Sequence, residues 1–115
     1  LETAIAKLYF AQHRNTEAEF LLENAIPVLE KKGDTEERSL AVALTDLAEA
    51  YQWDGRYAKA EPLYERVLRI LVQRPSAMNE DIQAGLQAYA RMLRKMKRKP
   101  EARQLEQQIK TMLPR

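Results

Sequence analysis

Cysteine is absent from the 115 residues, so disulfides, zinc–thiolate sites and thiol nucleophiles are excluded. Histidine occurs once, at His13, which leaves no histidine-rich metal site and no His pair for acid–base work. With only 3 Gly there is too little turn material for an architecture of strands and tight hairpins. No apolar run reaches the roughly 18 residues that a membrane-crossing helix needs. Also missing are a Gly-rich phosphate loop, a Ser-His-Asp set and any metal-ligand spacing. An enzyme is therefore not expected, nor a cofactor or a resident metal.

What is present favours helix. Ala, Leu, Glu, Lys, Arg, Gln and Met supply 75 of the 115 residues, against 14 Val, Ile and Thr. That length suits one domain, or one fragment of a longer array. The chain opens at Leu1 with an apolar helical pattern already under way, without an initiator Met or a signal segment, and is expected to be an excerpt from a larger protein. The formal charge of +2 conceals an asymmetry. Residues 1–82 carry 10 Lys/Arg and 15 Asp/Glu, a balance of −5, whereas 83–115 carry 9 Lys/Arg against Glu101 and Glu106, a balance of +7.

Sliding the sequence by 42 residues brings it into register with itself three times, without a gap. Ala6, Ala48 and Ala90 share a column, as do Ala18, Ala60 and Ala102, Leu21, Leu63 and Leu105, and Arg14, Arg56 and Arg98. Within a unit, Leu40, Leu44, Leu47, Ala48 and Tyr51 recur at helical spacing. Asp54-Gly55-Arg56 breaks that stripe, and Ala60, Leu63, Tyr64, Val67, Leu68 and Leu71 form the next. The spacing predicts an all-α chain of three helix-turn-helix hairpins, units about 1–40, 41–82 and 83–115. Six helices are expected near 1–12, 16–32, 36–53, 57–73, 79–96 and 99–112. Paired alanines such as Ala48 and Ala60 let the two helices of a hairpin approach closely, and each hairpin leaves apolar surface that only its neighbour covers. The units should therefore stack into a solenoid whose groove is lined by the first helix of each pair.

The residues Leu47-Ala48-x-x-Tyr51, Gly55-Arg56-Tyr57 and Ala60-Glu61-Pro62-Leu63-Tyr64 followed by Val67-Leu68 resemble a tetratricopeptide repeat. The 42-residue period is similar to the longer repeats of kinesin light chains and their bacterial relatives. The likeness covers essentially the whole chain and is sharpest in the second unit; in the third, Leu93, Lys97, Lys99 and Glu106 depart from the pattern. It implies a right-handed α-solenoid and a protein-interaction scaffold. The carboxylate clamp of the chaperone-binding members is not reproduced, since only Lys7 among the corresponding positions fits it.

On the groove face the register gathers Lys7 and Phe10 from the first unit, Thr45, Glu49, Gln52 and Trp53 from the second, and Gln87, Arg91, Arg94 and Lys95 from the third. Aromatics, amides and a cationic end suit an extended, acidic peptide with one apolar anchor. Trp53 stands either as that anchor's partner or as packing against the next unit. The cluster Arg91, Arg94, Lys95, Lys97, Arg98 and Lys99 ends a helix, where its dipole favours cations, and lacks the interleaved aromatics that nucleic acid would stack upon. A protein or peptide partner is expected, with neither nucleic acid nor membrane, in a cytoplasmic setting. The alternative is self-assembly into a homo-oligomer through apolar residues left open at the repeat ends, Leu1, Ile5 and Leu8 or Leu105, Ile109 and Leu113.

Overall fold

The computed structural model describes residues 15–32 and 37–113. The expected helix over 1–12 lies outside them. Five α-helices are present among the described residues: α1 (Asn15–Lys31), α2 (Glu37–Trp53), α3 (Tyr57–Gln73), α4 (Glu80–Lys95) and α5 (Lys99–Met112). A short 3-10 turn, Pro75–Ala77, joins α3 to α4. No described helix is long and apolar enough to cross a membrane.

The hairpin turn is built twice with the same bonds, 42 residues apart. After α2, Gly55 N donates to Gln52 O (2.9 Å) and Arg56 N to Tyr51 O (2.8 Å). After α4, Lys97 N donates to Arg94 O (3.0 Å) and Arg98 N to Leu93 O (2.8 Å). This pair of bonds satisfies the last carbonyls of each helix and requires a left-handed residue at its centre. Gly55 adopts it at φ 77°, and Lys97, with a Cβ, must adopt it at φ 61°. The other junction is capped differently: the Asn79 side chain accepts from Ile82 N at 2.9 Å and starts α4. Pro27 and Pro62 sit inside α1 and α3 with both residues exposed, and each helix continues through its proline.

Packing follows the alanine columns. Ala18, Ala48, Ala60 and Ala102 are fully buried and Ala90 nearly so. α2 is the central helix, packed by α1, α3 and α4 at once, which is why it is buried on nearly every side and rich in alanine. At its contact with α4, a Cβ placed on Gly85 would lie 1.9 Å from Thr45 Cγ2, so only glycine permits this approach.

Two expectations fail here. Thr45 is not a groove residue: it is fully buried, donates its hydroxyl to Ala41 O (2.7 Å) and turns its methyl toward Gly85. The apolar residues expected to lie open at the far end are covered as well: Leu105 and Ile109 are buried and Leu113 is half-buried. Leu1, Ile5 and Leu8 lie outside the described residues.

Neighbouring units are tied by an ion pair at the repeat period. Arg56 reaches Glu19 across α1 at 3.1 Å, and Arg98 reaches Glu61 across α3 at 2.7 Å. Both arginines occupy the position just after the left-handed turn residue, and both glutamates lie one residue after a buried alanine. The link is therefore a consequence of the period itself.

Candidate functional site

A cleft of about 500 Å³ opens between the end of α2 and α4. Glu49, Gln52 and Trp53 enter it from α2, Gly55 and Tyr57 from the turn and the start of α3, and Ala88, Arg91 and Lys95 from α4. Spacings of three and four residues put each set on one face of its helix. The volume falls within the ~300–1,000 Å³ usual for ligand sites.

The base of the cleft is held by a chain of hydrogen bonds. Tyr64 donates its hydroxyl to Gln52 Oε1 at 2.7 Å, and Gln52 Nε2 donates to the carbonyl of Ala88 at 2.9 Å. Burial pushes the Tyr64 phenol far above its ordinary value, so it remains a donor. Its ring stacks on Tyr89 with centroids 4.7 Å apart and planes 9° from parallel. Gln52 thus pins α4 to α2, with both ends of its amide engaged within the protein. Its contribution to a partner is chiefly to fix the distance between the two walls.

Those walls differ in character. On α4, Arg91 and Lys95 are exposed, one helical turn apart, and neither has a carboxylate partner among the described residues. On α2, Trp53 is 63 % exposed, and Glu49 is half-buried over Gly85. Tyr57 at the start of α3 extends the aromatic side.

Arg94 belongs elsewhere, contrary to expectation. It points to its own hairpin partner, where Nη1 and Nη2 donate to Glu106 Oε2 and Oε1 at 2.7 and 2.6 Å. Position 94 falls on the α5-facing side of α4, and sequence register alone had grouped it with the cations of the cleft. Gln87 is exposed one turn before Arg91 and outside the cleft lining. Lys7 and Phe10 lie outside the described residues. Gly55, Tyr57 and Ala88 line the cleft without having been singled out for it. The signal lay in the turn, where Trp53, Gly55 and Tyr57 alternate with Asp54 and Arg56 toward the opposite side.

That opposite side is the α1 interface. Glu19 is 8 % exposed; one oxygen accepts from Arg56, the other is buried without a hydrogen-bond partner, and the Asp54 carboxyl stands beside it. Burial, and then the neighbouring Asp54, push the Glu19 carboxyl up to about 7. Tyr51 donates to Glu23 at 2.5 Å, and burial together with this bond pushes its phenol up to about 12. The Arg56 guanidinium and the Lys59 ammonium lie over the Tyr51 ring at 4.8 and 5.3 Å.

A tetratricopeptide repeat family model matches residues 1–73 and again 39–115. Two solved structures are similar to the chain, both of Podosopora anserina kinesin light chain nearly identical TPR-like repeats. One, a single-substitution variant, has a TM-score of 0.74 at 25 % identity, covering 96 % of this chain and 52 % of that one. The other has a TM-score of 0.72 at 26 % identity, covering 96 % and 53 %. The chain thus spans about half the length of these proteins. No curated protein matches it in sequence.

Proposed function

Because this chain belongs to the tetratricopeptide repeat family, whose members generally mediate protein–protein interaction, we propose that the α2–α4 cleft binds an extended acidic segment of a partner protein. The observation that carries this reading is the division among the arginines and lysines around it. Among the described residues, Arg56, Arg94 and Arg98 are each matched by a carboxylate, whereas Arg91 and Lys95, which line the cleft, are not.

Two cations one helical turn apart can receive successive or alternate acidic side chains of an extended peptide. The exposed indole of Trp53 and the ring of Tyr57 offer an apolar surface for a single large side chain between them. Exposed charge pairs are individually worth about 0–1 kcal/mol, so charge governs encounter and orientation, and the aromatic contact governs residence. A scaffold role in the cytoplasm is consistent with this chemistry and needs no bound cofactor.

The test is a titration with two synthetic peptides of the same length. One carries glutamates around a central phenylalanine, and the other carries lysines in their place. The acidic peptide should bind with an affinity that falls as salt rises, and the basic one should not bind. Equal affinity for the two, or binding indifferent to Trp53→Ala, contradicts the proposal.

A further inference from the structure

The turn that supplies Trp53, Gly55 and Tyr57 to the cleft presents Asp54 and Arg56 to α1 on its other side. There, two carboxyl groups and one guanidinium meet at an interface that excludes water from Glu19. When Glu19 and Asp54 are both ionised, neither can donate to the other, and Glu19 Oε1 is buried without a partner. The register-equivalent site lacks this conflict. Glu61 accepts from Arg98 with both oxygens and from the Tyr89 hydroxyl, and the place of Asp54 is taken by the uncharged Met96.

We propose that the Glu19–Asp54 carboxyl pair is a proton-operated clamp between the first and second repeat units, regulating the order of the turn that forms one wall of the cleft. One proton taken from solvent forms an O–H bond on one carboxyl oxygen of the pair. That hydroxyl donates to the other carboxylate, Oε1 acquires a partner, and the repulsion between the buried Glu19 carboxylate and the exposed Asp54 carboxylate beside it is removed. When the proton returns to solvent, the like charges push the turn away from α1, against the Arg56–Glu19 and Tyr51–Glu23 contacts.

The charged and titratable groups facing Glu19 among the described residues are few. α1 itself supplies Glu23, α2 supplies Tyr51, the turn supplies Asp54 and Arg56, and α3 supplies Lys59 through the Tyr51 ring. Tyr51 stays protonated throughout the neutral range, since its phenol is pushed up to about 12. An arginine guanidinium keeps its charge throughout this range, so the pair is the group that changes. The folded-state value of Glu19, about 7, lies above its ordinary 4.5. The native protein therefore binds more protons than the unfolded chain between these values. The clamp's contribution is complete below the ordinary carboxylate range and is lost as pH rises through about 7.

Any effect on partner affinity rests on the peptide-binding reading of the cleft; the clamp itself does not. Trp53 is the only tryptophan of the chain and directly precedes Asp54, so its fluorescence reports on the turn without any ligand. The experiment is a fluorescence titration between about pH 5 and about pH 9 on the whole chain and three variants, His13→Gln, Glu19→Gln and Asp54→Asn. A transition centred near 7 is expected in the parent chain. It should persist in His13→Gln, which removes the only imidazole, disappear in Glu19→Gln, and move to lower pH in Asp54→Asn. The proposal is overturned if the parent shows no transition, if Glu19→Gln retains it, or if His13→Gln abolishes it. Should Glu19→Gln fail to fold, an unmoved midpoint in Asp54→Asn overturns it equally. A cleft that bound no acidic peptide would leave this titration as it stands, so the two ideas fail separately.

Discussion

Glu19 and Glu61 occupy the same position of the repeat, face an arginine at the same position of the next unit, and titrate in opposite directions. Burial and Asp54 raise Glu19 to about 7, whereas the hydrogen bonds from Arg98 and Tyr89 hold Glu61 below the usual carboxylate range. The backbone around the two is the same. The difference lies in the neighbouring side chains: Asp54 against Met96, and Tyr51 spent on Glu23 against Tyr89 donating to Glu61 itself. A 42-residue period therefore dictates where charged groups meet, while neighbours outside the repeat consensus decide which protonation state the meeting favours. The first interface is left adjustable, and the second is locked.

The largest expected effect comes from forcing the locked interface apart. Gly85→Ala places a methyl group against Thr45 and should lower stability by about 1–3 kcal/mol or more, read from chemical denaturation. Within a hairpin, Ala48→Leu overfills a fully buried position and should cost a similar about 1–3 kcal/mol; an unchanged melting temperature would mean that the close approach of the helices is not what the alanine column provides.

Removing the arginines compares the two interfaces directly. Arg98→Ala strands Glu61 and should cost about 2 kcal/mol, whereas Arg56→Ala, with a more exposed single contact, should cost under about 1 kcal/mol. Equal losses would erase the distinction. The corresponding carboxamide variants should separate by pH. Glu61→Gln loses stability at neutral pH and rejoins the parent in acid, because a lowered carboxyl stabilises above its ordinary value and that gain vanishes as pH falls through its folded one. Glu19→Gln does the reverse, gaining on the parent as pH rises through about 7. The smallest effect concerns the turns: Lys97→Gly should stabilise the chain by about 1 kcal/mol by relieving a left-handed lysine, while Gly55→Lys should cost about as much.

Helix order, hairpin pairing and the buried alanines were legible in the sequence because each depends on periodicity, which survives without coordinates. The family likeness followed from the same columns. The cleft was only half legible. Glu49, Trp53, Arg91 and Lys95 line it as the register implied, but Thr45 and Arg94 do not. Thr45 sits on the side of α2 that another helix covers, and the covering depends on a glycine 40 residues away, a pairing invisible to a one-helix projection. Arg94 differs from Arg91 by less than one turn, and what separates them is Glu106 on the facing helix. The carboxyl pair at Glu19 was wholly hidden, since Asp54 looked like a turn residue and nothing more.

Among the described residues the cations of α4 divide as the two carboxylates do, Arg94 matched by Glu106 and Arg91 and Lys95 without a carboxylate partner, and on that division the binding reading stands. Its most direct test is the association kinetics of the glutamate–phenylalanine peptide with Arg91→Glu and Arg94→Glu variants, side by side. Arg91→Glu should slow association and flatten its salt dependence. Arg94→Glu, which breaks the contact with Glu106 at a distance from the cleft, should associate like the parent chain. If the two variants bind alike, or if Arg94→Glu is the slower, the acidic segment does not dock in the α2–α4 cleft.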